Sequence, residues 1–173
     1  MQRTLVVIRH AKSDWSRGVA DRERPLAPRG RRQAPPIGEW LVENDIAFDR
    51  VLVSPATRAM QTWEAVSAAM SARRAGPPPG SVTVDERAYT DDGDDLVELL
   101  RDLPADAGVV AVVGHNPAME ELVSTVTGSF VRMKTSCIAV LEVPGDWVDL
   151  GRPVRGTSAP RVVAAGRPAD GPL

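Results

Sequence analysis

Thr4-Leu5-Val6-Val7-Ile8-Arg9-His10 is a leucine and β-branched run that ends on a guanidinium and an imidazole. Residues 4–8 lack the apolar–polar alternation of a half-exposed strand, so they predict a strand buried on both faces. The same pattern returns at Val109-Val110-Ala111-Val112-Val113-Gly114-His115, the most strongly apolar strand of the chain. Strands buried on both faces need helices above and below. The segments between them supply helical spacing: residues 30–43 with Ile37, Trp40 and Leu41, and residues 56–73 with Met60, Trp63, Val66 and Met70. Residues 96–103 and 118–126 predict two more helices. Short strands are expected at residues 50–53, 82–84 and 161–165. Residues 138–143 and 147–150 read as a late hairpin turning at Pro144-Gly145-Asp146. Strand and helix in alternation predict an α/β fold, with a mainly parallel central sheet.

The 173 residues fit one domain over residues 1–165, followed by a Gly- and Pro-rich tail over 166–173 that is expected to fray. Apolar residues make up 43%, enough for a packed core, and the formal net charge is −2. That balance points to neither nucleic acid nor an anionic membrane as a partner. The apolar runs are too short to span a bilayer. Residues 5–8 are too short for a signal-peptide core, and Cys137 is the only cysteine. The expected location is therefore the cytoplasm, with Cys137 a buried structural thiol in an apolar run. Oligomeric state leaves no mark on the sequence.

The chain has two histidines, and two lysines against nineteen arginines. Taken singly, each histidine reads as a strand-end residue with a satisfied hydrogen bond. Taken together, the only two stand just past the carboxyl ends of two buried strands, the edge at which open α/β sheets bind ligands. Arg9 lies beside His10, and Arg58 lies one turn into the helix that follows residues 50–53. Guanidinium forks match phosphate oxygens, and the helix starts near Pro55 and Pro117 add N–H groups and positive dipole ends. Ser54-Pro55 itself reads as an N-cap followed by proline at the first helical position. Phosphate-binding P-loops, dinucleotide fingerprints and Gly-x-Ser-x-Gly elbows are absent from the sequence. Asp91, Asp92, Asp94 and Asp95 could add carboxylates for a metal, but an acidic loop is ordinarily solvated, and no metal or other cofactor is expected.

Four motifs occur in order: Arg9-His10-Ala11-Lys12-Ser13; Arg24-Pro25-Leu26 with Gly30; Ser54-Pro55-Ala56-Thr57-Arg58-Ala59 followed by Gln61-Thr62; and Gly114-His115-Asn116-Pro117. Together they resemble the histidine phosphatase superfamily (phosphoglycerate mutase-like), and within it the compact branch related to the SixA phosphohistidine phosphatases. The resemblance implies a three-layer α/β/α fold. It implies a metal-independent phosphatase in which His10 takes up the phosphoryl group while Arg9, Arg58 and His115 hold its oxygens. Ser13 and Asn116 are the expected further substrate contacts, with Lys12 an added cation at the mouth and Asp14 and Trp15 on the rim.

Two departures from the superfamily pattern shape the expected substrate. Where many members carry an acid that protonates the leaving group, this chain places Thr90. Asp91, Asp92 and Glu86 are the candidate general acids nearby. The chain also has no room for a large helical insertion over the pocket, so an open site is expected. Both features favour phosphohistidine on a protein, or a small activated phosphoester, because such leaving groups depart with little acid help. The alternatives are a small-molecule phosphomonoesterase and a non-catalytic module that binds phosphate or a phosphoprotein.

Overall fold

The computed structural model describes residues 2–153 and 155–173. The buried run at the start forms β1 (Gln2–Arg9). Then follow α1 (Pro28–Gln33), α2 (Pro35–Glu43), β2 (Arg50–Val53), α3 (Thr57–Ala72) and β3 (Val82–Val84). The chain continues through α4 (Gly93–Arg101), β4 (Val109–Gly114), α5 (Ala118–Thr127), β5 (Ile138–Pro144) and β6 (Arg161–Gly166). The six strands make one sheet in the order β3-β2-β4-β1-β5-β6. The first four are mutually parallel. The last two join antiparallel, so the sheet is mixed.

Alternate residues of the central strands serve two cores, which is why their sequences are apolar without alternation. Leu5, Val7, Val110 and Val112 pack with Leu96, Leu100, Met119 and Leu122 of α4 and α5. Val6, Ile8, Val51, Val53, Ala111 and Val113 pack on the opposite face with Ile37, Leu41, Trp63, Val66 and Met70 of α2 and α3. The result is a three-layer α/β/α arrangement without a large helical insertion. Gly38 lets α2 and α3 meet: a Cβ there would lie 2.3 Å from the Val66 carbonyl oxygen. Among the described residues, no helix is long and apolar enough to cross a membrane.

Three local expectations are not met. The helix expected over residues 30–43 is two helices, with α1 ending at Gln33 and α2 starting on Pro35. A proline has no N–H to donate into a preceding turn, so it begins a helix rather than continuing one. Ser54 does not cap α3; Ala56 occupies that position. The expected hairpin across 144–146 does not form. Residues Trp147–Asp149 are instead a short 3-10 turn, with the Trp147 ring buried and its Nε1–H donating to the Ala107 carbonyl at 2.7 Å. β5 pairs with β6, which lies further along the chain. β6 runs through Gly166, and Arg167 lies just beyond it. Arg167 Nε donates to the Thr135 carbonyl at 2.9 Å, and its Nη1 pairs with Asp170.

Candidate active site

Parallel register is what joins the two histidines. Arg9 of β1 stands opposite Gly114 of β4, and the His10 N–H donates to the Gly114 carbonyl at 3.0 Å. His10 and His115 are therefore neighbours at the carboxyl edge, with ring centroids 5.1 Å apart. β2 ends level with β4, and the Ser54 N–H donates to the Val113 carbonyl at 3.0 Å. Three strand ends thus deliver His10, His115 and Ser54 side by side.

Both rings have one nitrogen held. His10 Nδ1 lies 2.7 Å from the Ala11 carbonyl oxygen. A carbonyl can only accept, so Nδ1 carries the proton and Nε2 keeps its lone pair. The Ala11 backbone is itself braced from α3: its N–H donates to Thr62 Oγ1 at 2.9 Å, and that hydroxyl donates to the Arg58 carbonyl at 2.6 Å. His115 Nε2 lies 2.7 Å from Ser54 Oγ. The Ser54 hydroxyl also accepts from the Ala56 N–H at 3.3 Å. Its proton needs an acceptor, and among the described residues His115 Nε2 is the one in reach, which leaves His115 protonated at Nδ1.

Burial, reinforced by neighbouring positive charge, pushes His10 down to about 3 and His115 to about 4 from the ordinary 6.5. Both rings are neutral near pH 7. The unfolded chain takes up protons on these rings below about pH 6.5 and the folded chain does not, so stability falls as pH falls from 6.5 toward those lowered values. At pH 5 the expected loss is about 1–2 kcal/mol per histidine. Urea melts at pH 7 and pH 5 measure it, and His115→Gln should flatten the difference. Equal melts for the wild type would contradict neutral buried rings.

The cations gather around the pair. Arg9 is half-buried, its Nη1 donating to the Met133 carbonyl at 2.8 Å. Arg58 and Arg24 are buried. These side chains, with Lys12, Ser13, Trp15, Asp21, Asp91, Asn116 and Thr135, line a cavity of about 450 Å³ that also contains both histidines. An adjoining recess of about 190 Å³ is lined by Asp21, Arg58, Tyr89, Thr90, Asp91 and His115. Gly30 holds the floor loop close: a Cβ there would fall 2.2 Å from the Lys12 carbonyl oxygen. Arg9 Nε, Arg58 Nε and His115 Nδ1 are buried nitrogens without a hydrogen-bond partner among the described residues. Cys137 is buried, and burial raises its thiol, so it presents no thiolate nucleophile.

Of the site residues expected from sequence, the structure brings Arg9, His10, Lys12, Ser13, Arg58, Asp91, His115 and Asn116 to one cavity. Glu86 and Asp92 stand outside it. Glu86 is exposed and paired with Arg22 at 2.5 Å. Asp92 caps α4 through the Asp94 N–H at 2.8 Å. Asn116 Nδ2 donates to the Met133 carbonyl at 2.9 Å, tying the His115 loop to the segment that holds Arg9.

Sequence reasoning missed four residues. Asp21 accepts from Arg58, Arg24 and the Tyr89 hydroxyl. Arg24 also donates to Ser13 and lies over the Trp15 ring, 3.5 Å from its centroid. The single tyrosine, Tyr89, meets the His115 ring edge-on at 5.4 Å. Ser54 positions His115 rather than capping a helix. Arg24 and Ser54 lay within quoted motifs. Asp21 stands three residues before Arg24 on a short turn, a spacing that could have marked it.

Comparison with known proteins agrees with this geometry. Residues 5–75 match the histidine phosphatase superfamily (branch 1). An uncharacterized protein of Mycobacterium tuberculosis is 38% identical over 158 residues, covering 83% of this chain and 91% of that protein. One from Mycobacterium leprae is 33% identical over 157 residues, with the same coverage. A SixA structure from Nakamurella multipartitia superposes with a TM-score of 0.77 at 28% identity, over 96% of each chain. The protein histidine phosphatase SixA in complex with tungstate gives 0.76 at 25% identity, over 98% of this chain and 99% of that one. With two histidines and two arginines converging at the carboxyl edge of such a sheet, the chain belongs to the histidine phosphatase superfamily and is a phosphatase of the SixA type.

Proposed function

We propose that this phosphatase removes the phosphoryl group from phosphohistidine on proteins, by way of a phosphohistidine formed on its own His10 and without a metal ion. The observation that carries the reading is the Nδ1 contact of His10 with the Ala11 carbonyl. It leaves Nε2 as the basic nitrogen of a ring kept neutral by burial, the state a nucleophile requires. Nε2 forms a bond to phosphorus as the bond to the substrate imidazole breaks. An imidazole already protonated on its other nitrogen departs neutral. Water then attacks phosphorus, His10 Nε2 leaves with the N–P electron pair, and the water's proton passes to phosphate or solvent.

Arg9, Arg58 and His115 would stabilise the phosphoryl oxygens, in keeping with their placement around His10. Protein cations supply the charge neutralisation that other phosphoryl-transfer enzymes take from Mg²⁺. Lys12, Ser13 and Asn116 line the same cavity and would contact the substrate. The absence of a large insertion over the cavity suits a phosphorylated protein surface. The SixA relative in complex with tungstate supports an oxyanion as the ligand of this site. A cytoplasmic setting accords with the free thiol of Cys137.

One observation favours a second reading, a phosphomonoesterase for small substrates. Asp91 lines both recesses beside His115 and could protonate an alkoxide leaving group. The experiment is a direct comparison. A phosphohistidine-containing protein is expected to lose its phosphate faster than small phosphomonoesters, with EDTA leaving the rate unchanged. Turnover of monoesters alone would hand the site to the second reading, and Asp91→Asn should then lower that rate about 10²-fold.

A further inference from the structure

Asp21 is an anion standing among the cations of an anion site. It lies on the short turn Asp21–Glu23, within an exposed segment. Its side chain is 51% exposed. One carboxylate oxygen accepts from Arg58 Nη2 at 3.0 Å and from the Tyr89 hydroxyl at 2.7 Å. The other accepts from Arg24 Nη2 at 2.8 Å. Its backbone carbonyl accepts from Arg58 Nη1 at 2.6 Å. Both terminal nitrogens of the Arg58 fork are therefore engaged by one residue. Asp21 also forms part of the wall common to both recesses.

Asp21 balances two buried guanidinium groups, so it bears on the fold as well as on the charge of the site. Near a phosphate dianion, a fixed carboxylate works against binding. Its favourable effect falls on the other half of the substrate. A phosphoryl group carried on a basic nitrogen departs from imidazole or a similar base, which is neutral or cationic. A phosphomonoester departs from an oxygen that gains negative charge. A carboxylate on the rim favours the first and opposes the second.

We propose that Asp21 is a specificity-determining residue of this site. Its carboxylate, set between Arg58, Arg24 and Tyr89, selects N-phosphorylated basic groups over phosphomonoesters and weakens the binding of free phosphate. This rests on the phosphohistidine reading above and assigns its selectivity to one side chain. The Tyr89 and Arg24 contacts hold the carboxylate ionised, far below the usual carboxylate range.

Asp21→Asn tests it, because the amide oxygen can keep the Arg58 and Tyr89 contacts while the charge and the acceptor facing Arg24 are lost. Inorganic phosphate affinity is measured by calorimetry, and kcat/KM is measured for phosphoimidazole and p-nitrophenyl phosphate. Phosphate should bind about three- to tenfold tighter, and the preference for phosphoimidazole should fall about tenfold. If Asp21 merely positions Arg58, phosphate binds more weakly and both substrates slow together, which overturns the proposal. An unchanged substrate preference overturns it too. Asp21→Ala, measured alongside, should move both quantities in the same direction as the asparagine variant. Failure of the underlying reading looks different: the wild-type enzyme itself would leave phosphoimidazole intact, and the inference falls with it.

Discussion

His10→Ala is expected to lower turnover by about 10⁴-fold or more while leaving the fold and the affinity for inorganic phosphate largely in place. The variant removes the nucleophile but none of the arginines. His10 is buried, yet its ring makes one hydrogen bond among the described residues, to Ala11. Its loss leaves the Ala11 N–H still satisfied by Thr62. The wild type, quenched during turnover of a labelled phosphodonor, should carry an acid-labile, base-stable label that maps to His10. Label on another residue, or a His10→Ala enzyme that keeps wild-type turnover, would remove this residue from the centre of the mechanism. Retained phosphate binding separates a chemical defect from a folding one.

Arg58→Lys is the second large effect, an expected loss of about 10²–10³ in kcat/KM. A lysine keeps the positive charge but not the planar fork. In this fold the fork does two things at once. Its terminal nitrogens clasp Asp21, and its helix position links, through Thr62, to the backbone that holds His10. The substitution should therefore weaken phosphate binding as well as slow turnover. Unchanged phosphate affinity would show that Arg58 acts through Asp21 alone.

The layered α/β fold was legible because its cause is local. Residues 4–8 and 109–113 are apolar at consecutive positions, and only a strand covered on both faces buries them all. The helices between showed in their spacing, and the two histidines showed in their rarity and their place at strand ends. Two misreadings lay where a distant partner decided, and a third was local. Residues 147–150 have strand-like composition, but the Trp147 indole finds the Ala107 carbonyl and turns there instead. Pro35 split a helix that periodicity alone ran together. Ser54-Pro55 had the chemistry of an N-cap, yet the serine hydroxyl had a better partner in His115, delivered by the adjacent strand.

The sequence by itself therefore determined the chemistry this protein carries: two strand-end histidines, a guanidinium beside the first and another in the first turn of a helix. Their residue types and order along the chain were enough to place it among histidine phosphatases. Only the tertiary structure decided how those groups are set. The pairing of Arg9 with Gly114 makes the two rings neighbours. The Ala11 carbonyl chooses the free nitrogen of His10, and burial among arginines keeps both rings neutral. Asp21 becomes part of the site only because a turn far from Arg58 in sequence closes onto it. Hydrogen bonds, desolvation and Coulomb forces act across space, and spacing along a chain does not carry them.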